Sequence, residues 1–236
     1  MKTVLHKSHT RGHADHGWLN AHHSFSFAGY YDPERVHFGA LRVLNDDIVA
    51  GGMGFGFHPH ENMEIITIPL SGQLEHRDSM GNHGITSNGE VQVMSAGSGI
   101  EHSEKNKNAQ ALVNLLQIWV FPDTKNVEPR YDQRAFDLNA AKNNLLNIVS
   151  PWGSAEGLNI HQNAWFHLGK LDKGVSLDYD LKDKNNGVYA FVIDGGVTIN
   201  DQKLDKKDGL GITEADKLTI TADSDAELLL MEVPMY

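Results

Sequence analysis

The chain has 236 residues, of which 40% are hydrophobic, and a formal net charge of -11 at pH 7. Its acidity and its scattered basic residues argue against nucleic-acid binding through a basic surface, because phosphate contacts need clustered Lys and Arg. The absence of cysteine excludes disulfides, thiolate metal sites and a cysteine nucleophile, so histidine must supply any soft metal ligand.

The N-terminal segment, MKTVLHKSHTRGHADHGW, lacks the apolar stretch of a signal peptide. No apolar run in the chain approaches the roughly 20 residues that a membrane-spanning helix needs. We therefore expect a cytoplasmic protein without membrane association. Four histidines near Trp18 are expected to be hydrogen-bonded structural residues rather than metal ligands: His13, His16, His22 and His23.

Short apolar or alternating segments bounded by Gly, Asn, Asp or Ser predict strands throughout the chain. They cover residues 40–45, 64–70, 91–94, 112–121, 188–193, 196–199, 217–221 and 227–233. The best helical candidate is 137–147, which follows a polar stretch at 123–134. We therefore divide the chain into two domains, 1–130 and 131–236.

The two halves show a weak internal repeat, since residues 70–74 and 193–197 each join a strand to a Gly turn. The strand before Pro122 likewise matches the strand before Pro234. This pattern favours two tandem β-barrels, although Gly turns and apolar strands recur in any β protein.

Two pairs of side chains have the spacing of a metal site. His58 and His60 are two residues apart, which in a strand places both on one face, about 7 Å apart at Cα. His102 and Glu104 repeat that spacing, so two facing strands can supply three nitrogens and one oxygen to iron, copper, manganese, nickel, cobalt or zinc. Strand parity also permits Glu64 as the carboxylate. The alternative is that these are barrel-rim residues without a metal.

The same residues carry a family resemblance. Gly52-x5-His58-x-His60-x3-Glu64 resembles the first cupin motif, and Gly99-x2-His102-x3-Asn106 resembles the end of the second. Wider strings, such as Arg11-Gly-His-Ala-Asp-His-Gly-Trp18 and Ala40-Leu-Arg-Val-Leu-Asn-Asp-Asp47, resemble the pirin family. The resemblance is closest to its bacterial members described as quercetin 2,3-dioxygenases. Two departures from the general cupin pattern are one extra residue between Glu64 and Gly72, and Ser95 where Pro is usual.

The resemblance implies an all-β fold of two cupin-type jelly-roll barrels in tandem, a bicupin. The N-terminal barrel would hold one divalent transition-metal ion, with Fe(II) the first candidate. The implied ligands are His58, His60, His102 and Glu104, which leaves Glu64 as a residue that supports the ligands. Because no second imidazole and carboxylate pair follows in the C-terminal half, we expect that barrel to lack a metal.

Residues beside these motifs are assigned more ordinary roles. Three residues of a Gly- and Asn-rich hairpin are expected to face solvent or to hydrogen-bond locally: His76, Asp78 and His83. The apolar residues at or beside the ligand strands are expected to be mostly core: Met53, Phe55, Phe57 and Met94. Regular alternation would turn only even-numbered residues inward with His58.

The implied activity is a quercetin 2,3-dioxygenase, with a flavonol-like aromatic substrate and O₂ as reactants. In that reaction a carboxylate takes the 3-hydroxyl proton, and dioxygen inserts across the 2,3-bond with loss of carbon monoxide. Glu104, or alternatively Glu64, would be the base. A second hypothesis is a metal-dependent regulatory protein that binds a transcription factor or a metabolic enzyme. A sugar-phosphate isomerase is a weaker third, since no basic residues flank the motifs to hold phosphate.

Overall fold

The computed structural model describes all of residues 1–236. The first half contains β1 Lys2–His6, β2 Gly12–Asp15, β3 Leu19–His23, β4 Leu41–Val49, β5 Gly54–His60, β6 Glu64–Ser71, β7 Gln73–Asp78, β8 His83–Ser87, β9 Glu90–Ser95, β10 Ile100–Asn106, β11 Val113–Val120 and β12 Arg130–Ala135. The second half contains β13 Leu145–Pro151, β14 Leu158–Ile160, β15 Trp165–Leu171, β16 Ser176–Asp180, β17 Asn186–Asp194, β18 Gly196–Ile199, β19 Gln202–Asp205, β20 Gly209–Thr213, β21 Lys217–Ala222 and β22 Ala226–Pro234.

The helical elements are two short 3₁₀ turns, Ser8–Thr10 and Leu138–Ala141. None of the helices has the length and hydrophobicity that crossing a membrane requires. Each of the eight predicted strands is confirmed, with bounds that differ by a few residues at most.

The strands form two barrels, each made of a seven-stranded and a four-stranded sheet. In the first barrel the sheets have the orders β12-β9-β6-β11-β4-β3-β2 and β5-β10-β7-β8. In the second the orders are β1-β20-β17-β22-β15-β13-β14 and β16-β21-β18-β19. Pairing is antiparallel throughout these sheets except between β13 and β14. The predicted all-β architecture of two cupin-type barrels is confirmed.

The two large sheets pack against each other through a shared apolar core. Ile66 and Ile118 of the first barrel belong to the same buried cluster as Phe166, Tyr189 and Met231 of the second. The central strands of these sheets are therefore covered on both faces, by the interior of their own barrel and by the other barrel. This two-sided burial is why β6, β17 and β22 read as nearly continuous apolar runs rather than as alternating ones.

The predicted helix at 137–147 is wrong. The chain makes only the 3₁₀ turn Leu138–Ala141, at whose start the Asp137 carboxylate accepts a hydrogen bond from the Asn139 amide. Asn143 then adopts a left-handed conformation with φ 51°, which ends the turn. The apolar residues that follow, including Ile148, enter β13 and the buried core. Tertiary burial therefore overrides a short helical pattern.

The domain boundary at residue 130 stays a prediction, and two strand pairings cross it. Strand β1 hydrogen-bonds to β20, so the first strand of the chain extends a sheet of the second barrel. Strand β12 pairs with β9, so the chain remains in the first barrel until Ala135. The two barrels are consequently joined in two ways, by their apolar interface and by β1, which comes from the first half of the chain but belongs to a sheet of the second barrel.

We expect Phe166→Ala to lower the free energy of unfolding by about 3 to 5 kcal/mol, because the truncation leaves a cavity in the core between the barrels. Equilibrium denaturation in urea measures the change. Leu112→Ala, at a residue that is 59% exposed, is the control and should change stability by less than about 0.5 kcal/mol. Equal losses in the two variants would contradict the assignment of Phe166 to the core.

Candidate functional site

Three histidines meet on adjacent strands of the first barrel. Strands β5 and β10 pair antiparallel, with His102 directly opposite His58 and with Ile100 opposite His60. Because side chains two apart share a strand face, all three imidazoles project from the same side of the four-stranded sheet. One ring nitrogen of each lies within 4.8 Å of the others. This convergence can place three nitrogens around one ion.

The nitrogens that converge have no competing hydrogen bonds. Nε2 of His60 and Nε2 of His102 are buried without a partner. Nδ1 of His58 donates to the Gly56 carbonyl at 2.8 Å, which leaves Nε2 of that ring with a free lone pair. Burial lowers the pKa of His60 to about 4 and holds the pKa of His102 lower still. Neutral imidazoles with unoccupied lone pairs are suitable ligands for a divalent transition metal.

Glu104 lies on the same face of β10 as His102 and is buried. Its carboxylate accepts hydrogen bonds from Thr67 Oγ1 at 3.3 Å and from Gln117 Nε2 at 3.1 Å. Burial raises the pKa of Glu104 to about 7, although these hydrogen bonds act in the opposite direction. One Glu104 oxygen also lies within 4.8 Å of ring nitrogens of His102 and His76. A cation at this position would favour the ionised carboxylate.

Glu64 is on the other face of its strand. Thr67, which contacts Glu104, faces the barrel interior, so parity turns Glu64 outward toward the second barrel. Its carboxylate accepts a hydrogen bond from Ser95 Oγ at 2.8 Å and another from the backbone of His161. The prediction that Glu64 supports the metal ligands is therefore wrong. The cupin motif places an acid at this position, but only the pairing of β6 reveals which way it points.

His76 and Asp78 are buried beside the three histidines, which corrects the expectation that they face solvent, whereas the hydrogen bond between them is local as expected. Nδ1 of His76 lies 3.4 Å from Nδ1 of His102, and Nε2 of His76 lies 3.1 Å from Asp78 Oδ2. The ring of His76 also stacks on Tyr131 at 4.4 Å. Every second residue of β7 is buried, namely Leu74, His76 and Asp78. Their spacing of two, starting from the apolar Leu74, is the sequence pattern that indicates this inward face.

His83 behaves as expected for a hairpin residue. It is exposed and its Nε2 lies 2.9 Å from a carboxylate oxygen of Glu75, on the surface of the hairpin. The N-terminal histidines also make local contacts. His13 and His22 stack at 4.5 Å, and His23 Nδ1 is 2.9 Å from Asn45 Oδ1.

A cavity of about 290 Å³ adjoins the histidines, between the two sheets of the first barrel. Its apolar lining is Leu19, Ala21, Phe27, Phe55, Leu115 and Trp119. Its polar lining is His23, Asn45, Asp47, His58, His60, Glu104 and Gln117. The cavity therefore combines flat apolar walls with the candidate ligands, a combination typical of sites for small aromatic molecules.

The expectation that only even-numbered residues of β5 face inward with His58 is wrong, because Phe55 also lines the cavity. Phe55 opposes Glu104 while His58 opposes His102, so β5 has two residues where β10 has only Ser103. This bulge turns the odd-numbered Phe55 inward with the even-numbered His58. Phe57 is instead 60% exposed, so the expectation of core is wrong there.

Met94 is fully buried and confirms the expectation of core, whereas Met53 is 44% exposed and does not. Asp47 is a cavity residue that the sequence reasoning missed, because the predicted strand ended at Asn45. Strand β4 continues to Val49, and the apolar Ile48-Val49 after the two acids was the available signal.

Family models match both halves of the chain. The pirin model matches residues 4–120. The model described as the quercetinase C-terminal cupin domain matches residues 147–233. The first match includes every candidate ligand, and the second covers most of the other barrel.

Full-length relatives agree with these matches. The chain is 44% identical to the quercetin 2,3-dioxygenase of Escherichia coli over 230 residues, which cover 98% of each protein. It is 43% identical to a putative quercetin 2,3-dioxygenase of Pseudomonas aeruginosa, covering 94% of this chain and 95% of that one. The crystal structure of the bacterial pirin YhhW from Escherichia coli in complex with nickel(II) matches with a TM-score of 0.94 at 42% identity, covering 100% of both chains.

The variant Glu64→Gln tests whether the pKa of Glu64 is raised, because a raised pKa makes the free energy of unfolding depend on pH. Burial raises the pKa of Glu64 from 4.5 to about 7 in the folded protein. As the pH rises through this window the unfolded chain ionises Glu64 while the folded chain keeps the proton, so the free energy of unfolding falls. The difference between the two pKa values corresponds to at most about 3 kcal/mol.

We therefore expect the Glu64→Gln variant to gain stability relative to the parent protein as the pH rises from 5 to 7. Denaturation in urea at both pH values measures this gain. Glu61→Gln, at an exposed carboxylate, should show no such trend. A constant difference between the Glu64→Gln variant and the parent would contradict the raised pKa.

Proposed function

Since this chain belongs to the pirin family, we propose that it is a metal-dependent dioxygenase that cleaves a flavonol such as quercetin at the 2,3-bond. The observation that carries the proposal is the convergence of three imidazoles on the edge of an aromatic-lined cavity. Relatives described as quercetin 2,3-dioxygenases, 44% and 43% identical, support the substrate class.

One divalent ion would be held by His58, His60, His102 and Glu104. The unpartnered Nε2 atoms of His60 and His102 support this assignment, because buried ring nitrogens without partners are costly unless they bind something. The position of Glu104 beside His102 supports the carboxylate choice. Fe(II) is the first candidate, and copper, manganese, nickel, cobalt and zinc suit the same donors. The nickel(II) complex of the pirin YhhW is consistent with that range.

When bound, the ion would supply Lewis-acid polarisation of a substrate oxygen and redox chemistry toward O₂. The residues of the chain contribute orientation. Thr67 and Gln117 fix the Glu104 carboxylate through their hydrogen bonds. Nδ1 of His76, whose ring is held by Asp78, contacts Nδ1 of His102, which leaves Nε2 of His102 free to bind the ion.

The apolar walls determine how a flat substrate can lie. Phe27, Phe55 and Trp119 line the cavity, and the Trp119 ring lies 4.9 Å from that of His60. A polyphenol ring held between them places its oxygens near the candidate ligands and excludes water. Phe27 and Phe55 also line a second cavity of about 690 Å³ closer to the N-terminal histidines, which adds room for a substrate of several rings.

The proposal is tested by supplying the metal-free protein with Fe(II), Mn(II), Ni(II), Co(II) or Cu(II), then quercetin and O₂. The expected result is O₂ uptake with an equal amount of carbon monoxide and loss of flavonol absorbance. Bound metal without turnover in every form would overturn the dioxygenase. It would favour the regulatory alternative, which a pull-down with oxidised and reduced protein would then address.

We expect His60→Ala to lose stoichiometric metal, because it removes one of three converging nitrogens. Metal content after gel filtration measures the loss. The control is His83→Ala, which removes an exposed imidazole away from the cavity and should retain metal. Retained metal in His60→Ala would refute the proposed ligand set.

His76→Phe should weaken metal binding by about 10- to 100-fold while the three proposed histidine ligands remain. The substitution keeps a ring that can stack on Tyr131 and removes the nitrogen next to His102. Asp78 still accepts hydrogen bonds from the amides of Met80 and Asn82. Competition with a chelator measures the affinity. An affinity equal to that of the parent would show that His76 does not position His102.

A further inference from the structure

One carboxyl in the cavity remains without a role. Asp47 is on β4, in the seven-stranded sheet, whereas the three histidines project from the four-stranded sheet, so the cavity lies between them. The residues paired with Asp47 are Ala21 on β3 and Leu115 on β11, both apolar and both in the cavity lining. Asp47 is only 5% exposed, and its Oδ1 has no hydrogen-bond partner. A buried unpartnered carboxylate oxygen is costly and needs an explanation.

The other buried carboxyls of this barrel already have hydrogen-bond or ion-pair partners. Both oxygens of Glu104 accept hydrogen bonds from side chains. Glu64 points toward the second barrel and bonds to Ser95. Asp46, next along β4, faces away from the cavity and pairs with Lys207. Asp47 alone combines an unpartnered acceptor with a place in the cavity wall.

Asp47 is also outside both groups of side chains whose ligand atoms are close enough to share an ion. Its free oxygen is therefore available to a molecule in the cavity rather than to the ion. We propose that Asp47 is the proton acceptor for the substrate hydroxyl, acting from the side of the cavity opposite the three histidines. This proposal rests on the proposed dioxygenase function.

The step balances as a simple proton transfer. The O–H bond of the flavonol 3-hydroxyl breaks, the proton moves to Oδ1 of Asp47, and the electron pair stays on the substrate oxygen. The resulting anion is the electron-rich form that reacts with O₂. The ring-opened product leaves as a carboxylate, and Asp47 returns its proton to solvent. This assignment replaces Glu104 as the base and leaves Glu104 with its proposed role as a ligand.

The electrostatic surroundings suit this role. Burial raises the pKa of Asp47 to about 7, and the nearby carboxyls of Asp46 and Glu104 act in the same direction. A general base is most effective when its pKa is near the working pH. The other titratable groups around the cavity are His23 on β3, His58 and His60 on β5, and Glu104 on β10. Strand β11 presents only uncharged side chains there.

Binding without turnover provides the first test. The protein is loaded with Zn(II), quercetin is added, and absorbance spectra record the pH at which half of the bound flavonol becomes the anion. In the parent the proton taken from the flavonol stays on Asp47 and is hydrogen-bonded to the anion, whereas the Asp47→Asn side chain keeps the size but can take no proton. The midpoint should therefore rise by at least about one pH unit in the variant, a tenfold weaker ionisation of the bound flavonol. An unchanged midpoint would overturn the proposal.

Turnover with the active metal provides the second test. Asp47→Asn should retain the parent metal content and lower kcat by about 100-fold or more. Its activity should recover at high pH, where solvent removes the hydroxyl proton. Asp47→Glu should restore part of the rate, and Asp47→Ser is a second carboxyl-free variant if the Asn form does not fold. Loss of metal in the folded Asn variant would overturn the role as a base.

The matched control is Glu64→Gln. It makes the same chemical change at a buried carboxyl whose pKa is likewise raised to about 7, but on the face of the barrel away from the cavity. It should retain both the parent kcat and the parent midpoint. Equal losses in the Asp47 and Glu64 variants would overturn the proposal, because they would reflect the loss of any buried carboxyl.

The two proposals can fail separately. If the parent protein turns over no flavonol with any metal, the dioxygenase is overturned, while the Zn(II) midpoint still tests Asp47 as a base. If the parent turns over and Asp47→Asn matches it in kcat and midpoint, only the role of Asp47 is overturned. If the parent binds no flavonol with Zn(II) and turns none over with any other metal, both are overturned.

Discussion

The pairing of β5 with β10 is the constraint on which the candidate site depends. With His102 opposite His58, two residues along each strand bring His60 and Glu104 to the same face. A slip of one residue would send one pair to the outside of the barrel. The bulge between Phe55 and His58 then aligns an aromatic wall with the imidazoles. The register therefore sets both the metal donors and the shape of the cavity.

Burial raises the pKa of three carboxyls of the first barrel alike, but each carboxyl faces a different environment. Burial raises the pKa of Glu64, Glu104 and Asp47 to about 7 in each case. Glu104 sits beside imidazole nitrogens, Glu64 bonds to Ser95, and Asp47 faces the cavity with an unpartnered oxygen. The chemical role thus follows from the partner of each carboxyl rather than from its acidity.

The sequence predicted much of this architecture because its strongest signals are local. Spacing of two identifies pairs that share a strand face, and apolar runs identify strands covered on both sides. What it could not provide depends on pairing between distant segments. The outward orientation of Glu64 follows from β6, the inward position of His76 follows from β7 beside β10, and the helical pattern at 137–147 yields to β13.

The exchanged first strand has a consequence for how the protein is made. Strand β1 is synthesised first but pairs with β20, which begins at Gly209, so it has no partner until most of the chain has left the ribosome. An ion pair between Lys7 and Asp208 fixes the same junction. Strands β2 and β3, which follow directly, provide one wall of the cavity. Strand β3 is held within the first barrel by its pairing with β4, but the segment that leads into β2 is fixed at its N-terminal side by β1 and Lys7. That attachment forms only when the second barrel has folded, so the N-terminal segment is the last part of the chain to be fixed in place.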